Sequence, residues 1–300
     1  MEFIALSLPT IIWYIAFCYM PLFGIVIAFK RYSPVPGRSF IYNLFVASPF
    51  TGLDNFRFLF INPQIKAVVR NTLAYNLIFL ILDTVLPIAI AVMLSHIYSD
   101  RLRGITKSAA MLPYFMSWVV VSMFLFAFLS TDKGFLNSVL TELGQEPVRW
   151  YQEPAVWPFI LILTHTWKAY GYALVLYMAN ITSIDPGLYE SAMVDGATAW
   201  QMVLKITLPL IRPVVIVIFL LNLGGILNTD FGLFYQATRN SGSIISATQT
   251  IDVYTYKALM EQANYGYSAA ASLIQNVIGC IFLIAANTLI KRIDPQEGIL

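Results

Sequence analysis

Residues 73–94 read Leu-Ala-Tyr-Asn-Leu-Ile-Phe-Leu-Ile-Leu-Asp-Thr-Val-Leu-Pro-Ile-Ala-Ile-Ala-Val-Met-Leu. Asp83 is the one charged residue in that run. A helix crossing the hydrocarbon core of a bilayer needs about 20 mostly apolar residues, so this stretch predicts a transmembrane span. The same test, moved outward, finds Phe3–Phe29, about Met111–Ser130, about Trp157–Ile184, about Pro213–Tyr235 and about Ala269–Ile290. The first run carries Pro9 and Pro21, exceeds the apolar core of a signal peptide and has no basic residue before it. It reads as a retained span. The expectation is an all-α membrane protein: a polytopic bundle of about six spans forming a single transmembrane domain over residues 1–300.

Composition agrees. Hydrophobic residues are 58% of the 300 and charged residues 11%, where soluble domains carry roughly 25% charge. Mean hydropathy is +0.71. These values exclude an ordinary soluble enzyme and a disordered chain. A net charge of +2 is too small for a nucleic-acid binder. Cys18 and Cys280 lie in apolar runs and point to neither a disulfide framework nor a metal site. His96 and His165 have no companion ligands at metal spacing, and no nucleophile–base pair is evident, so no catalytic residue and no metal is expected.

Six spans put both termini on one side. Basic residues choose that side only weakly: seven lie on the side of the termini and ten opposite, six of those ten between Lys30 and Arg70. The short basic loop with Arg101, Arg103 and Lys107, and the Lys291-Arg292 tail, favour termini inside.

One connection stands out. Residues 189–196 read Tyr-Glu-Ser-Ala-Met-Val-Asp-Gly and lead on to Ile206-Thr207-Leu208-Pro209. Asp185-Pro186 is an N-cap followed by proline at the first helical position. Asp195-Gly196 is a helix stop. Thr198 with Gln201 forms a capping box for a second helix. Two short helices with a turn between them make an elbow between spans four and five. Ser191 and Ala192 are small enough to let a partner surface approach closely.

This pattern resembles the EAA loop of ABC importer permeases: Glu-Ala-Ala, three residues, Gly, nine residues, then Ile-x-Leu-Pro. Glu190, Ala192, Gly196, Ile206, Leu208 and Pro209 stand at the required places, and Ser191 replaces the first Ala. An ordinary amphipathic interfacial loop is the plainer alternative. The likeness extends over nearly the whole chain, through Tyr19-Met20-Pro21-Leu22-Phe23-Gly24, Gly52-Leu53-Asp54-Asn55-Phe56, Leu112-Pro113-Tyr114 and Trp167-Lys168. It is similar to the carbohydrate branch of the family, nearest to permeases of polysaccharide importers such as the alginate importer. The resemblance implies that the loop at about 185–209 is a cytoplasmic coupling helix, so that both termini are cytoplasmic in a bacterial inner membrane. It implies that Tyr189, Glu190, Ser191, Ala192, Asp195 and Gly196 contact an ATPase subunit. It also implies a set of partners: two ATPase subunits binding ATP and Mg, a second related permease and a periplasmic solute-binding protein. No G-x-x-x-x-G-K-[ST] phosphate loop occurs in the chain, so no cofactor is expected here and the chain is not itself the ATPase.

Polar residues inside the spans are the candidates for the substrate path, because such groups are costly in lipid and face a bundle interior or a wet route. Lys168 lies near the middle of span four, with Tyr172 one turn on and Thr164 one turn back. Pairing of Lys168 with Asp83 or Asp230 is the structural alternative. Asn222, Asn228 and Thr229 suit sugar hydroxyls, with Asn222 and Thr229 on one helical face and Gly224-Gly225 between them. Interhelical hydrogen bonding is the alternative there. Gln275 and Asn276 could face the path but, with Asn287, read as helix–helix contacts, and Tyr254 and Tyr256, in the last outer loop, as candidates for contact with substrate or a binding protein. The expected function is ATP-driven import of oligo- or polysaccharide, alginate among the candidates. An ion-coupled secondary transporter of sugars, with Asp83, Lys168 and Asp230 as its relay, is the rival, although no inverted repeat is evident. A membrane enzyme acting on carbohydrate is a second rival, without a catalytic constellation to support it.

Overall fold

The structure, a computed structural model, describes residues 2–97 and 99–293. Among these residues it is all-α, with one isolated backbone pairing, Lys30 with Phe50, in place of any sheet. Five helical stretches are long and apolar enough to cross a bilayer: Ser7–Phe29, Pro63–Ser95, Trp157–Thr182, Ala199–Gly224 and Tyr265–Arg292. A sixth arises if the pair Asp100–Phe115 and Trp118–Leu129, bent by 96°, is one broken span.

Three expectations change in detail. Met111–Ser130 is not straight, because Pro113 has no N–H to give and Met116 is extended. Ser117 then restarts the helix, its Oγ accepting from Val120 N at 3.3 Å. Span five ends at Gly224, not Tyr235: Gly225 closes the helix and residues 226–230 run irregularly. The connections before the second span and before the last one are also helical in part. Pro63–Ser95 begins well before Leu73, and Ile251–Met260 is a helix carrying Tyr254 and Tyr256. At 33 residues, the former spans about 50 Å, longer than a hydrocarbon core of about 30 Å.

The residues fall into two compact units. The first takes residues 2–69 and 251–278. Its leading helix changes to a wide turn at Ile15–Tyr19 and a tight one from Met20, where Pro21 sits at the start. The helix from Ser7 has almost no buried surface of its own. Polar side chains close the following loop: Asn55 Nδ2 donates to the carbonyls of Ala28 and Lys30 at 2.9 Å each, and Lys30 Nζ donates to Leu44 O at 2.7 Å. Gln275 Nε2 donates to Asp252 Oδ1 at 3.2 Å, a helix–helix contact of the kind expected for it.

The second unit takes residues 70–250 and 279–293, apart from 98. Trp157–Thr182 buries Trp157, Leu161, Thr164, Gly171, Leu174, Tyr177, Met178 and Ile181, a stripe at three- and four-residue spacing. A core of Ala91, Leu94, Ala110, Leu174, Met178 and Ile211 packs there. The helices come close where side chains are smallest. A Cβ on Gly171 would lie 2.0 Å from Ala110 O, and one on Gly279 would lie 2.1 Å from Gly224 O. Such contacts are how membrane helices associate without a hydrophobic drive between them.

The connection at 131–156 is knotted by Asn137. Its Nδ2 donates to the carbonyls of Ser130, Thr131 and Val148, and its Oδ1 accepts from Val148 N and Trp150 Nε1. Beside it the Tyr151 ring lies against Trp157, centroids 5.1 Å apart. The Tyr151 hydroxyl is buried with no hydrogen-bond partner among the described residues. Burial pushes this phenol up to about 12, against a smaller opposing pull from Arg239. The folded chain therefore holds that proton more tightly than the unfolded chain. The associated stability is full below pH 10, the unfolded value, and is lost as pH rises toward about 12. Tyr151→Phe is expected to raise the melting temperature at neutral pH, because an unpaired buried hydroxyl is removed. It should also flatten the alkaline part of the wild-type profile. Thermal unfolding in detergent at neutral and alkaline pH checks both, and a lower melting temperature at neutral pH would show the hydroxyl to be paired.

Candidate functional site

The elbow forms as its residues predict. Asp185 Oδ1 accepts from Gly187 N at 2.9 Å and starts the helix Pro186–Val194. Gly196 takes φ +80°, a left-handed conformation open to glycine at little cost. Around it Gly196 N donates to Met193 O at 3.1 Å and Ala197 N to Ala192 O at 2.9 Å, the double bond of a helix stop. Thr198 then opens Ala199–Met202. Its N–H donates to Gln201 Oε1 at 2.8 Å, and its Oγ1 accepts from Gln201 N at 3.3 Å. Such a capping box contributes about 1 kcal/mol. A wide turn, Val203–Thr207, runs into Leu208–Gly224, where Pro209 needs no amide partner.

The elbow has a held side and a free side. Tyr189 OH lies 2.9 Å from Thr207 Oγ1, and Thr207 is buried. Beneath it is a cavity of about 620 Å³ bounded by His96, Arg103, Ile181, Tyr189, Met193 and Thr207. On the free side Glu190, Ser191, Asp195 and Gly196 are exposed, with Ala192 half-buried. Glu190 has no hydrogen-bond or ion-pair partner for its carboxylate among the described residues, whereas Ser191 Oγ donates back to Gly187 O at 2.7 Å. Val194 is 88% exposed and Trp200 67%. The sequence reading missed these two, although an apolar residue and a tryptophan beside a helix stop are what a docking knob presents.

The residues expected along a path separate into two groups. Lys168 Nζ donates to Tyr114 O at 2.9 Å and lies 5.6 Å from the Tyr114 ring and 5.1 Å from the Trp118 ring. Tyr172 stacks on Tyr114 with centroids 5.1 Å apart and planes within 16°. Thr164 is not part of this group. It is buried and its hydroxyl donates to Ile160 O at 2.7 Å. The second group surrounds a cavity of about 280 Å³ lined by Asn76, Asp83, His165, Asn222, Asn228 and Asp230. His165 Nε2 lies 2.9 Å from Asp83 Oδ2, and its ring stacks on Phe79 at 3.7 Å. Asn76 Nδ2 donates to the carbonyls of Ile226 and Asn228, which the end of the helix at Gly224 leaves without helical partners.

Two expectations are corrected here. Asn222 and Thr229 share no helical face, because the helix stops between them, and Thr229 Oγ1 donates to Thr250 Oγ1 at 2.9 Å instead. Neither Asp83 nor Asp230 takes Lys168 as partner: Asp83 holds His165, and Asp230 Oδ2 accepts from Trp118 Nε1 at 2.6 Å. Sequence reasoning passed over Asn76 as a cavity residue. Asn76 and Asp83, seven apart and hence on one helical face, were the available signal.

Comparison with known proteins meets this geometry. Residues 84–295 match the family described as binding-protein-dependent transport system inner membrane component. Protein LplB of Bacillus subtilis strain 168 is 30% identical, over 98% of this chain and 89% of its own. The polygalacturonan/rhamnogalacturonan transport system permease protein YteP of the same strain is 31% identical, over 97% and 88%. Among solved structures, a chain of a bacterial ABC transporter involved in the import of the acidic polysaccharide alginate is 32% identical. It superposes with a TM-score of 0.86 over 98% of this chain and 96% of that one. A chain of the alginate transporter in complex with its alginate pentasaccharide-bound periplasmic protein superposes with a TM-score of 0.85, over 97% and 94%. Matched along most of its length and similar in fold over nearly all of it, the chain belongs to the binding-protein-dependent transport system inner membrane component family, the multi-pass permease subunits of ABC importers.

Proposed function

We propose that the chain is one permease subunit of an ATP-driven importer for acidic oligo- or polysaccharide, with alginate and polygalacturonan as the first candidates. The observation that carries this reading is the elbow at 185–209. It is capped at both helices, tied to its neighbour through Tyr189 and Thr207, and bare where Glu190, Val194 and Gly196 meet the outside. A rigid, exposed knob between two spans suits the transfer of force from a motor that the chain does not contain. Two ATPase subunits, binding ATP and Mg, dock there from the cytoplasm, which sets both termini on the cytoplasmic side. A second, related permease completes the pore, and a periplasmic binding protein delivers the sugar. The whole chain, residues 1–300, acts as one transmembrane domain, with Lys168, Tyr172, Asn222, Asn228 and Thr229 along the route. Two of the similar proteins named above support an acidic polymer: polygalacturonan and alginate are both chains of uronic acids.

Co-purification of the chain from its native membrane, followed by subunit mass analysis and uptake into proteoliposomes, tests the proposal. Two ATPase copies, one different permease and ATP-dependent uptake of oligouronate are expected. Uptake by the chain alone, driven by an ion gradient, would overturn it.

A further inference from the structure

We propose that the segment from Lys30 to Phe50 is a lipid-binding surface: it lies in the headgroup layer of the bilayer, its apolar side chains inserted among the lipids and Arg31 and Arg38 at the lipid phosphates. The segment is inverted in polarity. Along Phe40–Tyr42 and the wide turn Asn43–Ala47, polar residues face inward and most large apolar ones face out. Asn43 and Ser48 are buried. Asn43 Oδ1 accepts from Val35 N at 3.1 Å, and Ser48 Oγ donates to Asn43 O at 2.6 Å while accepting from Ser33 N at 3.1 Å. Phe40, Ile41, Phe45, Val46 and Phe50 are exposed instead; Ile41 is 69% exposed, Val46 67% and Phe50 72%. An apolar face of this kind marks a surface that something covers.

The backbone sets how far that face stands from the membrane. Ser7–Phe29 is long and apolar enough to cross a bilayer, and the segment is sewn to its last residues. Thr51 N donates to Phe29 O at 2.9 Å and Arg31 N to Pro49 O at 3.0 Å. Asn55 Nδ2 holds the carbonyls of Ala28 and Lys30, and Lys30 pairs with Phe50 along the backbone. Phe50 therefore sits where the first span leaves the hydrocarbon. Lys30 Nζ, donating to Leu44 O at 2.7 Å, keeps the turn before it at the same level. The charges fit that depth. Arg31 and Arg38 are exposed, with no carboxylate in ion-pair range among the described residues, and Arg38 lies over the Tyr42 ring at 5.1 Å. Aromatic rings beside basic side chains suit the boundary between lipid and water, and a guanidinium presents a fork of N–H donors to a phosphate. A soluble partner docked here would leave the rings in water whenever it departed. Lipid covers them throughout.

The assignment needs only that the chain spans a membrane, so its failure leaves the importer reading untouched. Two measurements test it. The wild-type chain, in the assembled importer and in liposomes of phosphatidylcholine and phosphatidylglycerol, is irradiated with a phosphatidylcholine carrying a diazirine near its glycerol. Adducts are expected within residues 40–50; adducts on the spans with none in this segment would overturn the assignment. A spin label at Val46→Cys, in a chain with Cys18→Ser and Cys280→Ser, then reads depth in the same liposomes. Collisions with oxygen, which partitions into lipid, should exceed those with a water-soluble nickel chelate. With Arg31→Gln and Arg38→Gln added, the balance should shift toward the chelate. A label that meets mainly the chelate before those changes shows a face in water, and one shielded from both reagents in the assembled importer shows a face covered by protein. Either result overturns the assignment, and a depth unmoved by the two arginine changes removes the phosphate contacts from it.

Discussion

Glu190→Ala, placed in the assembled importer, is expected to lower ATP-dependent uptake at least tenfold while leaving the melting temperature of the chain within about 1 °C. The side chain is exposed at the middle of Pro186–Val194 and holds nothing in place. The caps that set the elbow belong to Asp185, Gly196, Thr198 and Gln201. Folding therefore has little to lose, because substitutions at exposed positions away from caps and cores usually change stability by less than about 0.5 kcal/mol. An interface has much to lose. Truncating a charged anchor at the centre of a docked surface costs about 2 kcal/mol or more, which is about thirtyfold in binding. ATP hydrolysis should persist, because on the proposed reading the catalytic machinery lies in a partner subunit. The variant thus uncouples hydrolysis from transport. Uptake and phosphate release measured on one preparation give the ratio directly. Full uptake by Glu190→Ala would show that the elbow is not the coupling surface.

The same elbow shows what was legible in the sequence. Short-range rules govern it: a cap, a proline at the first helical position, a left-handed glycine and a capping box each act within four residues. All of them appear where residues 185–201 placed them. The apolar runs were legible for a related reason, since a bilayer imposes length and polarity on each span independently of its neighbours. What the sequence did not show is where helices break and which side chains meet across the bundle. The bend at Met116–Ser117 sits in an apolar run with no change of hydropathy, and only Pro113 hinted at it. The helix end at Gly224 lay within a run apolar enough to continue to Tyr235. It is stabilised from another helix, by Asn76 donating to the carbonyls it frees. That partner is 150 residues away in sequence, beyond any local rule.

The candidate path was legible as a set of residue types and not as a set of contacts. Lys168, Asp83 and Asp230 are the ionisable groups a reader of the spans notices, and an ion pair between them is the economical guess. The structure distributes them otherwise: histidine to one carboxylate, an indole N–H to the other, and aromatic faces to the lysine. The consequence is functional. A lysine paired within the chain would be a structural element, whereas one framed by rings can serve a passing anion.

The strongest effect on the fold itself is expected at Gly171. A methyl group there would stand 2.0 Å from Ala110 O and 2.7 Å from the Ala110 carbonyl carbon, both backbone atoms on the facing helix. A flexible side chain could turn away; a helix backbone cannot. Gly171→Ala must therefore push Trp157–Thr182 away from Asp100–Phe115, opening the packing around Ala91, Ala110 and Leu174. Overpacking of this kind costs about 1–3 kcal/mol. It offsets the gain of about 0.5–1 kcal/mol that a helical Gly→Ala change otherwise brings. Gly104 provides the control on the same pair of helices. It lies inside Asp100–Phe115 with nothing within 4 Å of where its Cβ would be, so Gly104→Ala should stabilise by the propensity term alone. Thermal unfolding of the two variants in one detergent should move the midpoint in opposite directions, down for Gly171→Ala and up for Gly104→Ala. The displaced helix carries Lys168 and Tyr172 while the facing one carries Tyr114. Gly171→Ala should therefore also weaken oligouronate binding, where Gly104→Ala leaves it unchanged. A Gly171→Ala chain as stable as wild type would mean that the two helices do not approach through these backbones.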